Sequence, residues 1–318
     1  MLGKIFKKIG KKYRLILLSF LILWTLWFFG LGTISGFFLN KSGLEKFPEI
    51  KNEDKILILA PHIDDEMISS SGIIMQAKTK GARIKIVYLT CGDENLGSVI
   101  KEDKSLKINP NDFIALGKRR ITEGKNAAKI LGLTEEELFF LGYPDGGLTP
   151  MFSHFYNSAV PFSSLGTKFT FNPYSNTGKI GQTYLGKNVT ADLEEIIKEF
   201  APTIIIAPHI RDKHPDHHAA YLFLEKALES ISYQNSKIFC YLVHYPLFPS
   251  TKKLKENEFL YPPKKLFTKS GWFSFDLSDE QLKKKLQAVS QNVSQKEFPA
   301  FYDLLSSFVK KNEIFEEI

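Results

Sequence analysis

The sequence contains little cysteine, since Cys91 and Cys240 are the only two among its 318 residues. Two thiols cannot build the disulfide framework of a small secreted protein or the cysteine cluster of a structural zinc site. Each ends or follows a β-like run, which is typical of a small buried side chain. The cysteine content therefore says little about the compartment.

The chain also lacks the composition of a disordered protein and the charge distribution of a nucleic-acid binder. Its hydrophobic content of 43% suits one sizeable globular domain plus an appendage. The formal net charge is +7, but six of the positive charges lie within residues 1–14 and no acid precedes Glu45. Subtracting those six leaves about +1 for the rest, so we expect no nucleic-acid partner.

Charge is absent altogether from residues 15–40, which read LILLSFLILWTLWFFGLGTISGFFLN. This run exceeds the roughly 20 residues that a helix needs to cross a bilayer. A cleavable signal peptide has an apolar core of about 7–15 residues and a small-x-small site, whereas no A-x-A pattern follows here. We expect an uncleaved transmembrane anchor, and a cleaved signal or a buried hairpin are the alternatives.

The charges on either side of this run predict its orientation. Six Lys or Arg residues precede it, while Lys41 and Lys46 follow it with Glu45 between them. The positive-inside bias therefore places the N-terminus in the cytoplasm and the rest of the chain outside the membrane. The expected organisation is a basic cytoplasmic segment 1–14, an anchor 15–40 in the lipid bilayer, a linker 41–53 and a globular domain 54–318.

Strands and helices alternate beyond residue 54. Continuous apolar runs such as KILILA (55–60) and TIIIA (203–207) are typical of strands buried on both faces. The pattern predicts strands over 55–60, 82–90, 138–141, 203–207 and 237–243, and helices over 63–80, 111–131, 191–200 and 215–231, with two more between 279 and 318. The stretches 147–188 and 245–272 lack periodicity. This alternation predicts an α/β fold with a mainly parallel sheet flanked by helices.

Two polar clusters follow buried strands. His62, Asp64, Asp65 and Glu66 come directly after KILILA, and such acceptors are costly to bury unless they are paired or bind a metal. The second cluster, DKHPDHH (212–218), follows TIIIA and opens a helix. Ligands bind at the carboxyl ends of strands in open α/β sheets, so we expect the clusters to converge. Helix capping by Asp64 or Asp65 is the plainer interpretation.

A His and an Asp from one cluster and a His from the other make a set of three nitrogen and oxygen ligands. Such a set leaves a position open for water, as catalytic zinc sites require. Zinc lowers the pKa of that water and polarises a carbonyl, and the spare carboxylate and histidine supply acid–base chemistry. The spacing favours a metal hydrolase. A non-haem Fe(II) oxygenase uses a similar set, although the α/β pattern fits that class poorly.

The two clusters resemble the signatures of a known family. PHIDDE (61–66) is similar to the (P/A)-H-P-D-D-E signature of the PIG-L/LmbE-like zinc de-N-acetylases, and DKHPDH (212–217) to their D-x-H-P-D-H signature. Weaker similarities follow the family's order at LTCGDENLG (89–97), at Arg120 with Glu123, and at LGYPDGGL (141–148). Ile63 departs from the usual proline. The resemblance covers about residues 54–318 and implies a Rossmann-like catalytic domain there.

The resemblance also implies an activity and a metal. The implied enzyme is a zinc-dependent deacetylase that removes the N-acetyl group from an N-acetylglucosamine-type sugar on a glycolipid, surface glycan or glycoside. Zn²⁺, or another divalent metal such as Fe²⁺, would be bound by His62, Asp65 and His217. Two alternatives stay open, a membrane-tethered carbohydrate-binding protein without activity and a hydrolase of a non-sugar amide.

Further roles follow from the same resemblance. Asp64 would be the general base, and His214 would stabilise the oxyanion or protonate the leaving amine. Asp216 would orient His214, while Arg120 and Asp145 are candidates for holding the sugar. Plain structural roles are as well supported for the remaining histidines, which are His154, His209, His218 and His244.

Overall fold

The computed structural model describes residues 44–103, 108–267, 271–296 and 299–318. The predicted cytoplasmic segment 1–14, the predicted anchor 15–40 and the start of the predicted linker 41–53 lie outside these residues. Among the helices within them, none is both long and apolar enough to cross a bilayer.

A single mixed sheet forms the centre of the described fold. Its strands are β1 (Glu45–Lys46), β2 (Lys55–Ala60), β3 (Arg83–Thr90), β4 (Leu138–Tyr143), β5 (Ile204–Pro208), β6 (Lys237–Tyr241), β7 (Trp272–Asp276) and β8 (Asn312–Glu317). Their order is β1-β7-β8-β6-β5-β2-β3-β4. Neighbouring strands are parallel except where β8 runs against β6 and β7. The predicted mainly parallel α/β sheet is confirmed.

Helices cover both faces of this sheet. They are α1 (Asp65–Lys80), α2 (Leu96–Asp103), α3 (Pro110–Ile130), α4 (Leu148–Ser153), α5 (Gly186–Phe200), α6 (Pro215–Ser230), α7 (Asp279–Val289), α8 (Val293–Lys296) and α9 (Pro299–Ser307). Successive residues of a strand point to opposite faces. Ile56 and Ile58 of β2 therefore join the core with α1, α3 and α7, whereas Leu57 and Leu59 join the core with α4, α5 and α6.

The pairing of β2 with β5 brings the two polar clusters together. The strands are parallel, with Ile56, Leu57 and Ile58 opposite Ile204, Ile205 and Ile206. Both strands are buried along their length, as their continuous apolar sequences predict. Their carboxyl ends therefore lie side by side, and the segments that follow them meet at one edge of the sheet.

Two segments differ from the prediction. Residues 279–318 were expected to form two helices, whereas they form three and end in strand β8. Asn312–Glu317 becomes a strand because it pairs with both β6 and β7, a partnership between distant parts of the chain that local periodicity does not show. Residues 44–53 were expected to be linker, yet β1 pairs with β7, and Phe47 and Ile50 are buried in the core.

Candidate active site

A cavity of about 520 Å³ lies at the carboxyl edge of the sheet. Its polar lining residues include His62, Asp64, Asp65, Arg120, Asp145, His214 and His244. Its apolar lining residues include Ile68, Leu96, Val243, Phe301, Leu304 and Leu305. These residues come from the segments after β2, β3, β4, β5 and β6 and from the carboxyl-terminal helices, so the cavity is assembled from most of the domain.

The turn between β2 and α1 is tight and strained. The backbone N–H of His62 donates to Asp65 Oδ2 at 2.9 Å, and the N–H of Asp64 donates to Glu66 Oε2 at 3.2 Å. Asp64 has a φ of +152°, a conformation that residues other than glycine rarely adopt and that is concentrated at functional sites. Asp64 occupies the N-cap position of α1, but its side chain makes no capping bond. Capping therefore does not account for this carboxylate.

Three buried side chains turn donor atoms toward one another. Asp65 Oδ2 lies 3.4 Å from His62 Nδ1 and 3.2 Å from His217 Nε2. The two nitrogens of His217 are buried and make no hydrogen bond, even though they lie this close to carboxylates. Ligands placed tetrahedrally at about 2.0–2.2 Å from a zinc ion are about 3.3–3.6 Å apart. Both distances from Asp65 Oδ2 are therefore close to the spacing of neighbouring ligands on one metal ion.

His62, His214 and His217 form a candidate metal site, since each offers a nitrogen within 4.8 Å of the other two. A second group of candidate donors consists of His62, Asp145 and Asp216. The two groups share His62, and neither includes Asp65. The predicted ligand set of His62, Asp65 and His217 therefore stays a proposal.

The far sides of the His62 and His217 rings also face carboxylates. His62 Nε2 lies 3.2 Å from Asp145 Oδ1 and 3.5 Å from Asp216 Oδ2. His217 Nδ1 lies 3.4 Å from Asp212 Oδ2. Asp212 was noted in the second cluster but given no role, because neither its spacing nor the resemblance shows which ring it contacts. Its position two residues before His214 was the only available signal.

Asp64 is held by a buried arginine. Arg120 Nη2 donates to Asp64 Oδ2 at 3.0 Å and to the carbonyl oxygen of Ile63 at 2.8 Å, and Nη1 donates to the carbonyl oxygen of Gly92 at 2.8 Å. Burial raises the pKa of Asp64 to about 6, and the charge of Arg120 opposes this rise. Arg120 lines the cavity, its terminal nitrogens donate to protein oxygens and 4% of the residue is exposed, so its predicted contact with a sugar stays a prediction.

His214 lines the cavity, and its contacts indicate the protonation and the tautomer of its ring. Its Nδ1 accepts a hydrogen bond of 3.3 Å from the backbone N–H of Asp216 at the start of α6. Burial and the neighbouring His62 and His217 lower the pKa of His214 to about 4. The ring is therefore neutral at pH 7 with its proton on Nε2, because Nδ1 is the acceptor.

The carboxylates of Asp216 and Asp145 accept hydrogen bonds from backbone N–H groups. The carboxylate of Asp216 accepts the backbone N–H groups of Gly146 at 2.6 Å and Leu148 at 3.1 Å, so Asp216 contacts His214 through its backbone alone. Asp145 Oδ2 accepts the N–H of Glu94 at 3.2 Å. Asp145 lines the cavity, and its predicted contact with a sugar stays a prediction.

The remaining histidines divide into one cavity residue and three others. The ring of His244 is centred 4.9 Å from those of both His214 and His217, and it lines the cavity. His209 is buried, bonded to the Glu316 carboxylate and stacked on Trp272. His154 and His218 are exposed and are not among the cavity-lining residues.

Comparison with known proteins gives a family match. The family model described as PIG-L, GlcNAc-PI de-N-acetylase, matches residues 57–228, more than half of the chain. A curated relative, the 1D-myo-inositol 2-acetamido-2-deoxy-α-D-glucopyranoside deacetylase of Thermomonospora curvata, is 28% identical over 182 residues. This match covers 55% of the chain and 52% of the relative, so it spans about half of that enzyme's length.

Solved structures share the fold at low sequence identity. The zinc-inhibited form of a teicoplanin deacetylase is 18% identical with a TM-score of 0.51, over 82% of this chain and 97% of that one. The 4-carboxy-2-hydroxymuconate hydratase of Pseudomonas putida KT2440 is 13% identical with a TM-score of 0.51, over 83% and 96%. A deacetylase and a hydratase thus have similar architectures, so the fold by itself does not specify the reaction.

Proposed function

We propose that this chain, which belongs to the PIG-L family of de-N-acetylases, is a zinc-dependent hydrolase that removes an N-acetyl group from an N-acetylglucosamine-type sugar. The observation that carries the proposal is the meeting of His62 Nδ1, Asp65 Oδ2 and His217 Nε2 beside Asp64 and His214. Another divalent metal such as Fe²⁺ would suit the same donors.

Different residues of the chain would carry out the separate steps of amide hydrolysis. His62, Asp65 and His217 would hold the metal, which when bound supplies a Lewis acid that polarises the amide carbonyl and activates water. Asp64 accepts the proton of the attacking water, and Arg120 fixes the carboxylate in place for this step. Burial has raised the pKa of Asp64 to about 6, closer to neutrality than that of a solvated carboxyl, as a general base requires.

His214 serves the later part of the reaction. Its neutral ring carries the proton on Nε2, because Nδ1 accepts the N–H of Asp216. An N–H at this position in the cavity wall donates to the oxyanion that develops as water adds to the carbonyl. The proton that Asp64 took from the water then passes to the leaving amine, which completes the cleavage of the carbon–nitrogen bond.

The substrate class follows from the cavity and the chain that precedes it. Polar and apolar side chains both line the cavity, which supports a sugar with a less polar carrier as the substrate, as on a glycolipid, a surface glycan or a glycoside. The uncharged run 15–40 supports a single-pass anchor, and the six basic residues before it support a cytoplasmic N-terminus with an extracytoplasmic catalytic domain. The low net charge beyond residue 14 supports no nucleic-acid partner.

The proposal is tested by measuring acetate release from a panel of N-acetylglucosamine-containing lipids, glycans and small glycosides. The zinc-loaded protein should release acetate from at least one class. Asp64→Asn and His214→Ala should each retain the metal, and Asp64→Asn should lose about 10²–10⁴-fold in rate. Release of acetate only from non-sugar amides would show that the enzyme is a hydrolase of non-sugar amides. Metal binding without any hydrolysis would favour a carbohydrate-binding protein without activity.

The roles of the two adjacent aspartates have their own test. Asp64→Asn should keep the metal, whereas Asp65→Asn should weaken its binding, because Asp65 Oδ2 faces both ligand histidines. If Asp64→Asn loses the metal and Asp65→Asn retains it, Asp64 is the metal ligand and Asp65 is the base.

A further inference from the structure

Each of the two proposed histidine ligands is flanked by carboxylates on opposite sides of its ring. For His217, Nε2 faces Asp65 at 3.2 Å and Nδ1 faces Asp212 at 3.4 Å. For His62, Nδ1 faces Asp65 at 3.4 Å and Nε2 faces Asp145 at 3.2 Å. Asp65 is thus common to both rings, while Asp145 and Asp212 each lie behind one of them.

An imidazole that binds a metal through one nitrogen carries its remaining proton on the other. A carboxylate against that N–H fixes both the tautomer and the orientation of the ring. We propose that Asp145 and Asp212 are positioning residues for the metal, which keep His62 ready to bind through Nδ1 and His217 ready to bind through Nε2. This inference rests on the metal site of the proposed function and adds to it which nitrogen each histidine uses.

Asp212 is built into the fold in a way that suits this role. Its side chain is fully buried, and it accepts three backbone N–H groups, from His214 at 2.9 Å, Val243 at 2.9 Å and His244 at 3.0 Å. These donors come from the segments after β5 and after β6. One carboxylate therefore fixes the two segments against each other and presents an oxygen to His217.

The opposite arrangement, with the metal on the Nε2 side of His62, fits less well. That side offers Asp145 and Asp216, but both oxygens of Asp216 already accept the N–H groups of Gly146 and Leu148. The Nδ1 side adds the nitrogen of His217, which is buried and makes no hydrogen bond. Nε2 of His62 also lacks a hydrogen bond, so two observations favour the Nδ1 side. Asp65 Oδ2 is shared there by both histidines, and both oxygens of Asp216 on the other side are taken by backbone N–H groups.

The first test reads the tautomers directly. Two-bond proton–nitrogen correlation spectra of the zinc-loaded, nitrogen-15-labelled full-length protein identify the protonated nitrogen of each histidine. His62→Gln and His217→Gln assign the two signals. We expect the proton on Nε2 of His62 and on Nδ1 of His217. A proton on the other nitrogen of either ring overturns the assignment for that ring.

The second test measures zinc affinity by competition with a chelator. Asp145→Asn and Asp212→Asn should each weaken zinc binding about 10–100-fold, the usual effect of removing a residue that orients a metal ligand. Asp192→Asn is the matched control, because Asp192 is a buried acid bonded to Tyr143 and Lys179 and is not a cavity-lining residue. It should lower thermal stability and leave zinc affinity unchanged.

The outcomes separate this inference from the proposed function. A zinc protein whose affinity is unchanged in both aspartate variants would overturn the positioning roles alone. A wild-type protein that binds no divalent metal would overturn both. Asp145→Asn keeps the test decisive if Asp212→Asn fails to fold, since Asp145 holds none of the three backbone groups bound by Asp212.

Discussion

The guanidinium of Arg120 contacts the carboxylate of Asp64 at 3.0 Å from a buried position in α3. The same side chain donates to the carbonyl oxygens of Ile63 and Gly92. Arg120 therefore connects the candidate base to the turns that follow β2 and β3. Gly92 has a φ of +64°, and a Cβ at this position would overlap the Arg120 guanidinium, so the close approach requires glycine.

Arg120→Lys should lower kcat about 10²-fold and change KM little. An ammonium cannot reach three acceptors with the planar geometry of a guanidinium, and a displacement of about 1 Å in a reacting group costs about this much. Steady-state kinetics on the best substrate of the panel measure both constants. A large rise in KM at unchanged kcat would instead support the sugar-holding role that the resemblance implies.

Gly92→Ala should reproduce this loss of kcat without removing a polar group, because the added Cβ displaces Arg120. Gly81→Ala is its control. Gly81 has a similar positive φ of +75°, but nothing lies within 4 Å of its added Cβ. The control should share the backbone strain and keep full kcat. Equal kcat values for the two variants would contradict a role for the contact.

Metal content should depend on His62 and His217. The purified protein should carry about one divalent ion per chain, and His62→Ala or His217→Ala should each lose most of it, since both rings contact the same Asp65 oxygen. His218→Ala changes the next residue, which is exposed, and should retain the ion. Elemental analysis after dialysis decides the matter, and unchanged metal in both ligand variants would refute the assignment.

Lys285→Met should destabilise the domain by about 3–5 kcal/mol, because it leaves a buried carboxylate without its cation. Lys285 Nζ lies 2.7 Å from Glu313 Oε1, and neither side chain is more than 1% exposed. Burial lowers the pKa of Lys285 and raises that of Glu313, so each charge depends on the other. Denaturant unfolding measures the loss.

The double variant Lys285→Met/Glu313→Gln should recover much of this stability. It removes the unpaired charge and keeps an amide oxygen that accepts the N–H of Gly72, as Glu313 does now. A double variant no more stable than Lys285→Met would show that the charge of Glu313 is not the source of the cost.

Protease added to intact cells or right-side-out spheroplasts should digest the domain that follows residue 41. The prediction rests on the six basic residues before the uncharged run 15–40. Immunoblotting against the C-terminus follows the digestion, with a cytoplasmic protein as the control for intact membranes. Protection until lysis would reverse the orientation and place the substrate at the cytoplasmic leaflet.

Much of the fold around the site was predictable because its elements are buried and periodic. KILILA forms β2 over its predicted residues, and α3 and α6 lie within one residue of their predicted limits. Such strands are apolar along their whole length and such helices along one face, because those residues are buried. Their local sequence pattern therefore indicates the element that they form. Asn312–Glu317 has no such pattern, and the burial of its Glu313 is explained only by the contact with Lys285 of α7.

The sequence by itself determined which side chains gather at the carboxyl edge, since His62, Asp64, Asp65 and the 212–218 cluster each follow a buried strand. Only the tertiary structure decided what each one contacts. Arg120 reaches Asp64 across 56 residues, and Asp212 reaches Val243 across 31. A hydrogen bond depends on the relative placement of distant backbone segments to within about half an ångström. That placement is set by the packing of the whole sheet and its helices, which no local spacing records.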